Sequence, residues 1–313
     1  MKFATKIFLF IAFTGFVYCC LLILWMAILP SYLVPNIAWQ PSSRGHLYTR
    51  LKDLDTISSV DVLVLGSSHA YRSFDPRIFA GRGVRAFVLA SSAQTPIQTL
   101  RLVRKYIYKL RPKVVIYEIY PRLFGSDGLE STVDFLSNDT IDLPLFLMSL
   151  RLKNTLSMNT LLYAYLRTNL LGLNHPEESK IKIYSDSTSD KYITGGFVTS
   201  TVVNNGQESE KFNINIRKDQ IEAFNGVVDI LQQAGSRVVF VRAPVTSDHF
   251  NHLKRATNGD VNLPKSALYF DFSHLDFLND TLNFSDSHHL NQSGVEIFNP
   301  ILLDSLSSYG ILR

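Results

Sequence analysis

The chain has 313 residues, of which 46% are hydrophobic and 19% charged, and its formal net charge is +4. This length suffices for one large domain with an accessory segment, and the composition is that of a globular protein rather than a disordered one. Lysines and arginines are scattered along the sequence, which argues against a nucleic-acid-binding protein.

The N-terminal region contains a long stretch without charged residues, from Ile7 to Leu29. The stretch exceeds the ~20 residues that an apolar helix needs to cross a bilayer. Lys2 and Lys6 precede it, so the positive-inside rule places the N-terminus in the cytoplasm. We predict a retained single-pass membrane anchor over residues 1–30, with the main domain periplasmic or otherwise extracytoplasmic. A cleaved signal peptide is the alternative, although its apolar region is ordinarily ~7–15 residues long.

The rest of the chain alternates between apolar runs and segments of helical period. Residues 31–59 carry Pro and Ser and are interpreted as a linker. Continuous apolar runs are typical of strands buried on both faces of a parallel sheet. The predicted strands are Val62–Leu65, Val84–Leu89, Val114–Tyr117, Val238–Val241 and Ala267–Phe270, and the predicted helices are Pro96–Leu110, Asp219–Ala234 and Gln292–Ser308. This rhythm predicts an α/β fold, with a three-layer α/β/α domain over residues 60–313.

A long insert separates the third and fourth predicted strands, at about residues 122–217. Its first half, which includes DLPLFLMSLRL, has apolar residues at helical spacing and predicts one or two amphipathic helices. Its second half is polar and carries Gly-Gly and Asn-Asn-Gly turn signals, which indicate a loop or hairpin. Such an insert either shapes a substrate cleft or docks a partner, and the sequence favours neither interpretation.

The first predicted strand runs into Gly66, Ser67, Ser68 and His69. A doubly wound sheet binds its ligands at the carboxyl ends of its strands. Ser68 is therefore a candidate nucleophile. A serine between a strand and a helix also commonly caps the helix, and this motif alone leaves both interpretations open.

A second motif lies near the C-terminus, where Asp286 and His289 immediately precede the last predicted helix. A serine nucleophile needs a base, and the base needs an orienting carboxylate, which a D-x-x-H turn supplies from one loop. The same spacing occurs at Asp271 and His274, directly after the fifth predicted strand. We prefer Asp286 and His289 because a glycine-containing turn and the terminal helix follow them.

With GSS at 66–68 and DSHHLNQSG at 286–294, the sequence resembles the SGNH (GDSL-like) hydrolase superfamily. Within it, the sequence is most similar to the membrane-anchored DltD and AlgJ type, which is associated with O-acylation of cell-envelope polymers. The resemblance covers about residues 60–123 and 218–305. It implies a flavodoxin-like sheet and a catalytic triad of Ser68, His289 and Asp286.

The sequence departs from the superfamily in its first motif, where Ser67 replaces the usual Asp, and in its second and third motifs. Ala93 stands where the second motif usually has a glycine whose N–H helps form the oxyanion hole. The third motif, G-x-N-D, is missing, because the chain reads EIYP after the third predicted strand. Losing one oxyanion donor costs on the order of 100–1000-fold in rate. Tyr120, or a serine such as Ser91 or Ser92, is a candidate replacement.

The resemblance implies an anchored enzyme that transfers an acyl group through Ser68. The acceptor is a sugar hydroxyl of a cell-envelope polysaccharide, or water if the protein is an esterase. Such a transferase implies a multi-span membrane partner that supplies acyl groups. The alternative is a catalytically weak SGNH-fold protein that binds a polymer or scaffolds an assembly, since G-x-N-D is missing and the insert is large.

No cofactor and no metal are expected. His249 and His252 are spaced as neighbours on a helix, but no convincing set of carboxylates or cysteines accompanies them. The sequence therefore predicts that both histidines lie on a solvated helix face.

Overall fold

The computed structural model describes residues 2–29, 33–41, 45–173, 190–206, 211–256, 263 and 267–312. Within these ranges, five parallel strands form a sheet in the order β2-β1-β3-β6-β7. The strands are β1 (Val62–Gly66), β2 (Ala86–Ala90), β3 (Val114–Glu118), β6 (Arg237–Arg242) and β7 (Leu268–Asp271). Without the insert, this is the flavodoxin-like order, and the predicted three-layer α/β fold is confirmed.

Helices cover both faces of the sheet because alternate strand residues point to opposite sides. Leu63 and Leu65 of β1 belong to one apolar core, and Val62 and Val64 to the other. The first core is closed by α2 (Leu47–Asp55), α5 (Pro96–Leu110) and α9 (Lys218–Gln233). The second core is closed by α3 (Ser68–Ser73), α4 (Pro76–Ala80) and α11 (Gln292–Ser308). Helix α10 (Ser247–Ala256) precedes β7.

The segment that was interpreted as a linker contains α2. Its Leu47, Leu51 and Leu54 are buried in the first core. Burial of a leucine side chain contributes roughly 1.5–3 kcal/mol, so this helix adds to the stability of the sheet domain.

Helix α1 (Lys2–Ile28) is apolar on all sides and almost entirely exposed. An 18-residue window within its stretch Phe3–Ile28 has a mean hydropathy of 2.7. A helix of this length and apolarity meets the requirement for a single membrane span. Its orientation across a membrane stays a prediction.

The insert consists of helices followed by a hairpin. The helices are α6 (Leu129–Asn138), α7 (Leu143–Arg151) and α8 (Thr155–Tyr165), and the antiparallel strands are β4 (Asp190–Ile193) and β5 (Phe197–Ser200). The polar half of the insert lies partly outside the described residues, at 174–189 and 207–210.

The hairpin turn packs against β2, which is an edge strand of the sheet. The carbonyl of Gly195 accepts a hydrogen bond from the N–H of Val88 at 2.8 Å. The buried guanidinium of Arg50 donates to the carbonyls of Gly196 and Ala90, at 3.0 and 2.7 Å. The contact needs a glycine at 196, because a Cβ there would lie 2.1 Å from the carbonyl oxygen of Val88.

Candidate active site

The candidate site lies where the strand order reverses, at the carboxyl end of β1 between β2 and β3. Open α/β sheets bind ligands in the crevice at this point. Gly66 ends β1 with φ +150°, and a Cβ there would lie 2.9 Å from the Cβ of Ala70 and 3.0 Å from that of Glu118. Glycine is therefore required for the close approach of β1, α3 and β3 at the site.

The two serines after Gly66 have different environments. Ser67 is the N-cap of α3, and its hydroxyl accepts a hydrogen bond from the N–H of His69 at 3.3 Å. Ser68 is the first residue of the helix, and its hydroxyl contacts the C-terminal motif instead. The capping role that the sequence left open for Ser68 thus belongs to Ser67.

The structure brings Ser68, His289 and Asp286 into one chain of hydrogen bonds. Nε2 of His289 lies 2.8 Å from Oγ of Ser68, and Nδ1 of His289 lies 2.8 Å from Oδ2 of Asp286. Because a carboxylate accepts, Nδ1 carries the proton, and Nε2 is left to accept from the serine hydroxyl. This is the arrangement by which a histidine takes a proton from a serine nucleophile.

The loop that carries Asp286 and His289 is fixed by backbone contacts. Oδ1 of Asp286 accepts from the N–H groups of His288 and His289, both at 2.9 Å. The side chain of Asn291 donates to the carbonyls of Leu282 and Phe284, and it also caps α11. These contacts limit the freedom of the histidine before any substrate binds.

The electrostatics of the loop keep Asp286 ionised. Burial alone would raise the pKa of Asp286, but the attraction of His289 and its hydrogen bond outweigh burial and hold that pKa far below its usual range. A negative carboxylate at this distance favours a positive charge on the neighbouring imidazole ring.

The three candidate oxyanion or substrate-binding residues occupy different positions. Ala93 lies in the loop after β2 with φ +46°, the left-handed region that favours the glycine of the superfamily motif. The hydroxyl of Ser92 donates to Oε1 of Glu130 at 2.7 Å. The hydroxyl of Tyr120 lies 2.7 Å from Nε2 of His249. In the described structure, the hydroxyls of Ser92 and Tyr120 are thus already hydrogen-bonded to other side chains.

Three further histidines surround His289. The ring centroids of His69 and His288 lie 5.1 and 4.1 Å from that of His289, and His249 lies 5.1 Å from His288. His69 also stacks on Tyr120 at 3.9 Å. Among the described residues, ring nitrogens of His69, His288 and His289 form a group within 4.8 Å that has the donor type for a metal ion. His289 of this group is also hydrogen-bonded to Ser68 and Asp286.

The prediction that His249 lies on a solvated face is wrong, because His249 is buried, with 1% of its surface exposed. It shares the inner face of α10 with Leu253 and Ala256, one and two turns further along. That apolar spacing was visible in the sequence and indicates burial. His69, which directly follows the two serines, is buried as well.

The competing D-x-x-H motif is not assembled as a base and its orienting acid. Oδ1 of Asp271 accepts from the N–H and the hydroxyl of Ser273, at 3.0 and 2.5 Å. The ring of His274 lies near Asp276 instead, with Nδ1 3.5 Å from a carboxylate oxygen. Asp271 therefore caps local backbone at the end of β7.

Burial of His69, His249 and His288 makes the stability of the fold sensitive to acid. Burial, followed by repulsion from other cationic groups, lowers the pKa of His249 to about 4 and that of His288 to about 3, and it lowers the pKa of His69 well below its usual value. In an unfolded chain, histidines titrate near pH ~6.5. Between these pH values the unfolded chain binds protons that the folded chain does not, so acidification favours unfolding.

We expect the free energy of unfolding to fall as the pH is lowered from ~6.5 to ~4, by up to about 1.4 kcal/mol per pH unit for each buried histidine. His249→Gln should make this dependence shallower, since glutamine retains an acceptor for Tyr120 but does not titrate. Denaturant unfolding of the detergent-solubilised chain at several pH values measures both slopes. An equal pH dependence of the unfolding free energy in the wild type and in His249→Gln would contradict a lowered pKa for His249 in the folded chain.

Comparison with known proteins finds similarity among solved structures. No family model matches the chain, and a search of curated proteins finds no match. Among solved structures, the chain is similar to a protein of Bacteroides fragilis that is described as a candidate acylhydrolase. The sequence identity is 10% and the TM-score 0.39, and the match covers 85% of this chain and 97% of the other. A similarity at this level shows neither a family nor an activity.

Proposed function

We propose that the protein is a membrane-anchored serine acyl-transfer enzyme whose triad is Ser68, His289 and Asp286. The observation that carries this proposal is the continuous hydrogen-bonded path from Oγ of Ser68 through both ring nitrogens of His289 to Asp286. Its position at the switch point of the sheet supports the proposal, because open α/β sheets bind their ligands at this point.

In the first half of the reaction, Oγ of Ser68 attacks the acyl carbonyl carbon, and Nε2 of His289 accepts the hydroxyl proton. The candidate donor to the negative charge that develops on the carbonyl oxygen is the N–H group of Ala93. His289 then donates its proton to the leaving alcohol, and the acyl group stays on Ser68 as an ester. In the second half, a sugar hydroxyl or water attacks this ester, with His289 again acting as base and then as acid.

Tyr120 does not serve as an oxyanion donor in this mechanism, because its hydroxyl is paired with His249. We expect Tyr120→Phe to lower kcat less than about tenfold, whereas loss of an oxyanion donor costs on the order of 100–1000-fold. Steady-state hydrolysis of an acetyl ester measures the effect. A loss in the larger range, with an unchanged melting temperature, would assign the donor role to Tyr120.

The substrate class follows from the resemblance to the anchored SGNH-type proteins, and helix α1 supports it by providing a candidate membrane span. We propose that the acyl donor or acceptor is an O-acylated cell-envelope polysaccharide. A multi-span membrane acyltransferase is the proposed partner that delivers the acyl group on the domain's side of the membrane.

The proposal is tested by trapping the nucleophile. The purified full chain in detergent is treated with a fluorophosphonate that reacts with activated serines, and the modified peptide is identified by mass spectrometry. We expect one label, on Ser68 and not on the neighbouring Ser67, with none on heat-denatured protein. A folded chain that takes no label would instead favour the polymer-binding or scaffold function.

A further inference from the structure

Helices α7 and α8 of the insert bury polar as well as apolar side chains and expose several large apolar ones. Their polar Ser149, Ser157, Asn159 and Thr160 are at most 7% exposed, and the hydroxyls of Ser149 and Ser157 lie 2.6 Å apart. The outer side of the helices carries large apolar residues that are 38–67% exposed. We call this surface the insert apolar face, and its residues are Leu143, Phe146, Leu150 and Met158.

The insert apolar face is continuous with helix α1. The hydroxyl of Tyr18 donates to Oδ1 of Asn159 at 2.5 Å, and Leu22 is buried in a cluster with Tyr163. Tyr18 also lines a groove of about 590 Å³ together with Phe146 and other residues of the face. Whatever surrounds α1 at this level therefore also surrounds the insert apolar face.

The contact point on α1 lies within the length that a bilayer would cover. The apolar stretch Phe3–Ile28 has 26 residues, and about 20 of them suffice to cross the hydrocarbon layer. If the span ends at Leu22, Tyr18 lies roughly 6 Å inside the layer, and if it ends at Ile28, roughly 15 Å inside, at ~1.5 Å per residue. Either placement brings Asn159 and the surrounding helix surface below the membrane boundary.

We propose that the insert apolar face is embedded among the lipid acyl chains of the leaflet nearest the folded domain. The domain is then held to the membrane at two places, by α1 and by this face. Lipid is favoured over water because an exposed apolar surface of this kind marks an interaction site, and its side chains extend the lipid-facing surface of α1. The inward-facing polar groups all have partners, as hydrocarbon surroundings require. Ser149 pairs with Ser157, and Asn159 pairs with Tyr18 of α1. The hydroxyl of Thr160 accepts from the N–H of Ala38 and donates to the carbonyl of Leu156. This inference rests on the membrane anchoring in the proposed function, but not on the triad.

The test uses depth-dependent quenching with the full chain in phosphatidylcholine vesicles. Native Cys20 on α1 is labelled with an environment-sensitive fluorophore in a Cys19→Ser chain. In a chain with both native cysteines changed to serine, the label is placed at Phe146→Cys, or at Tyr309→Cys as a matched control. Tyr309 is 62% exposed and follows α11 on the opposite layer of the sheet. Each label is titrated with lipids brominated on the acyl chain and, separately, with aqueous iodide.

We expect brominated lipid to quench the labels at Cys20 and Phe146 to a similar extent and the label at Tyr309 very little, with iodide giving the reverse order. If brominated lipid quenches the label at Cys20 but iodide quenches the label at Phe146, the face lies in water. This result would overturn the inference and leave the membrane anchoring intact. Protection of the Phe146 label from both quenchers would show that protein covers the face, which also overturns it. Absence of lipid quenching at Cys20 would overturn the anchoring as well. None of these results depends on activity, so they are separable from failure of the triad proposal.

Discussion

Ser68→Ala and His289→Ala should each lower hydrolysis of an acetyl ester by about 1000-fold or more, because the serine supplies the attacking oxygen and the histidine removes its proton. The double variant should lose no more than either single variant, since residues that act in one step have non-additive effects. Initial rates with the full chain in detergent measure these losses. Melting temperatures should stay close to that of the wild type.

His274→Ala is the matched control for His289→Ala, because it removes the histidine of the competing D-x-x-H motif. Its ring is partly exposed and lies beside Asp276. We expect this variant to retain its activity within a few-fold. If His274→Ala were inactive and His289→Ala active, the catalytic base would instead be His274, in the loop after β7.

Asp286→Asn should lower kcat by about 10⁴-fold while the fold is retained. The amide oxygen of asparagine can still accept the N–H groups of His288 and His289, so the loop keeps its shape. The amide nitrogen, however, places a donor opposite Nδ1 of His289, which favours the tautomer that cannot accept a proton from Ser68. The loss should therefore appear in kcat rather than in the melting temperature.

The control for this variant is Asp271→Asn, which changes a carboxylate that caps Ser273 after β7. It should affect stability slightly and kcat hardly at all. Comparable losses of kcat in the two variants would mean that the effect of Asp286→Asn is structural rather than catalytic.

Much of the fold could be predicted from the sequence because it depends on local patterns. Apolar runs locate every strand of the parallel sheet to within a few residues. The second strand begins at Ala86 rather than Val84, because the N–H of Val84 is hydrogen-bonded to the carbonyl of Phe79 and closes the turn after α4. Such a turn contact leaves no mark on the hydrophobic pattern.

The proximity of Ser68 and His289 was predictable for a topological reason. Parallel strands end at one edge of the sheet, so a motif after β1 and a motif before the terminal helix converge there. The surroundings of the pair were not predictable, because they depend on long-range packing. The contact between Tyr120 and His249 joins the segment after β3 to α10 across the insert, and no local pattern encodes it.

The packing of the hairpin turn on β2 has a consequence for the behaviour of the protein at high concentration. An edge strand presents unpaired N–H and C=O groups that can pair with a strand of another molecule, which is a route to aggregation. The carbonyl of Gly195 accepts a hydrogen bond from the outward N–H of Val88. Two residues further along, the carbonyl of Ala90 accepts a hydrogen bond from Arg50. The chain thus closes this edge of its own sheet with a turn and a charged side chain, and neither can be extended by a further strand.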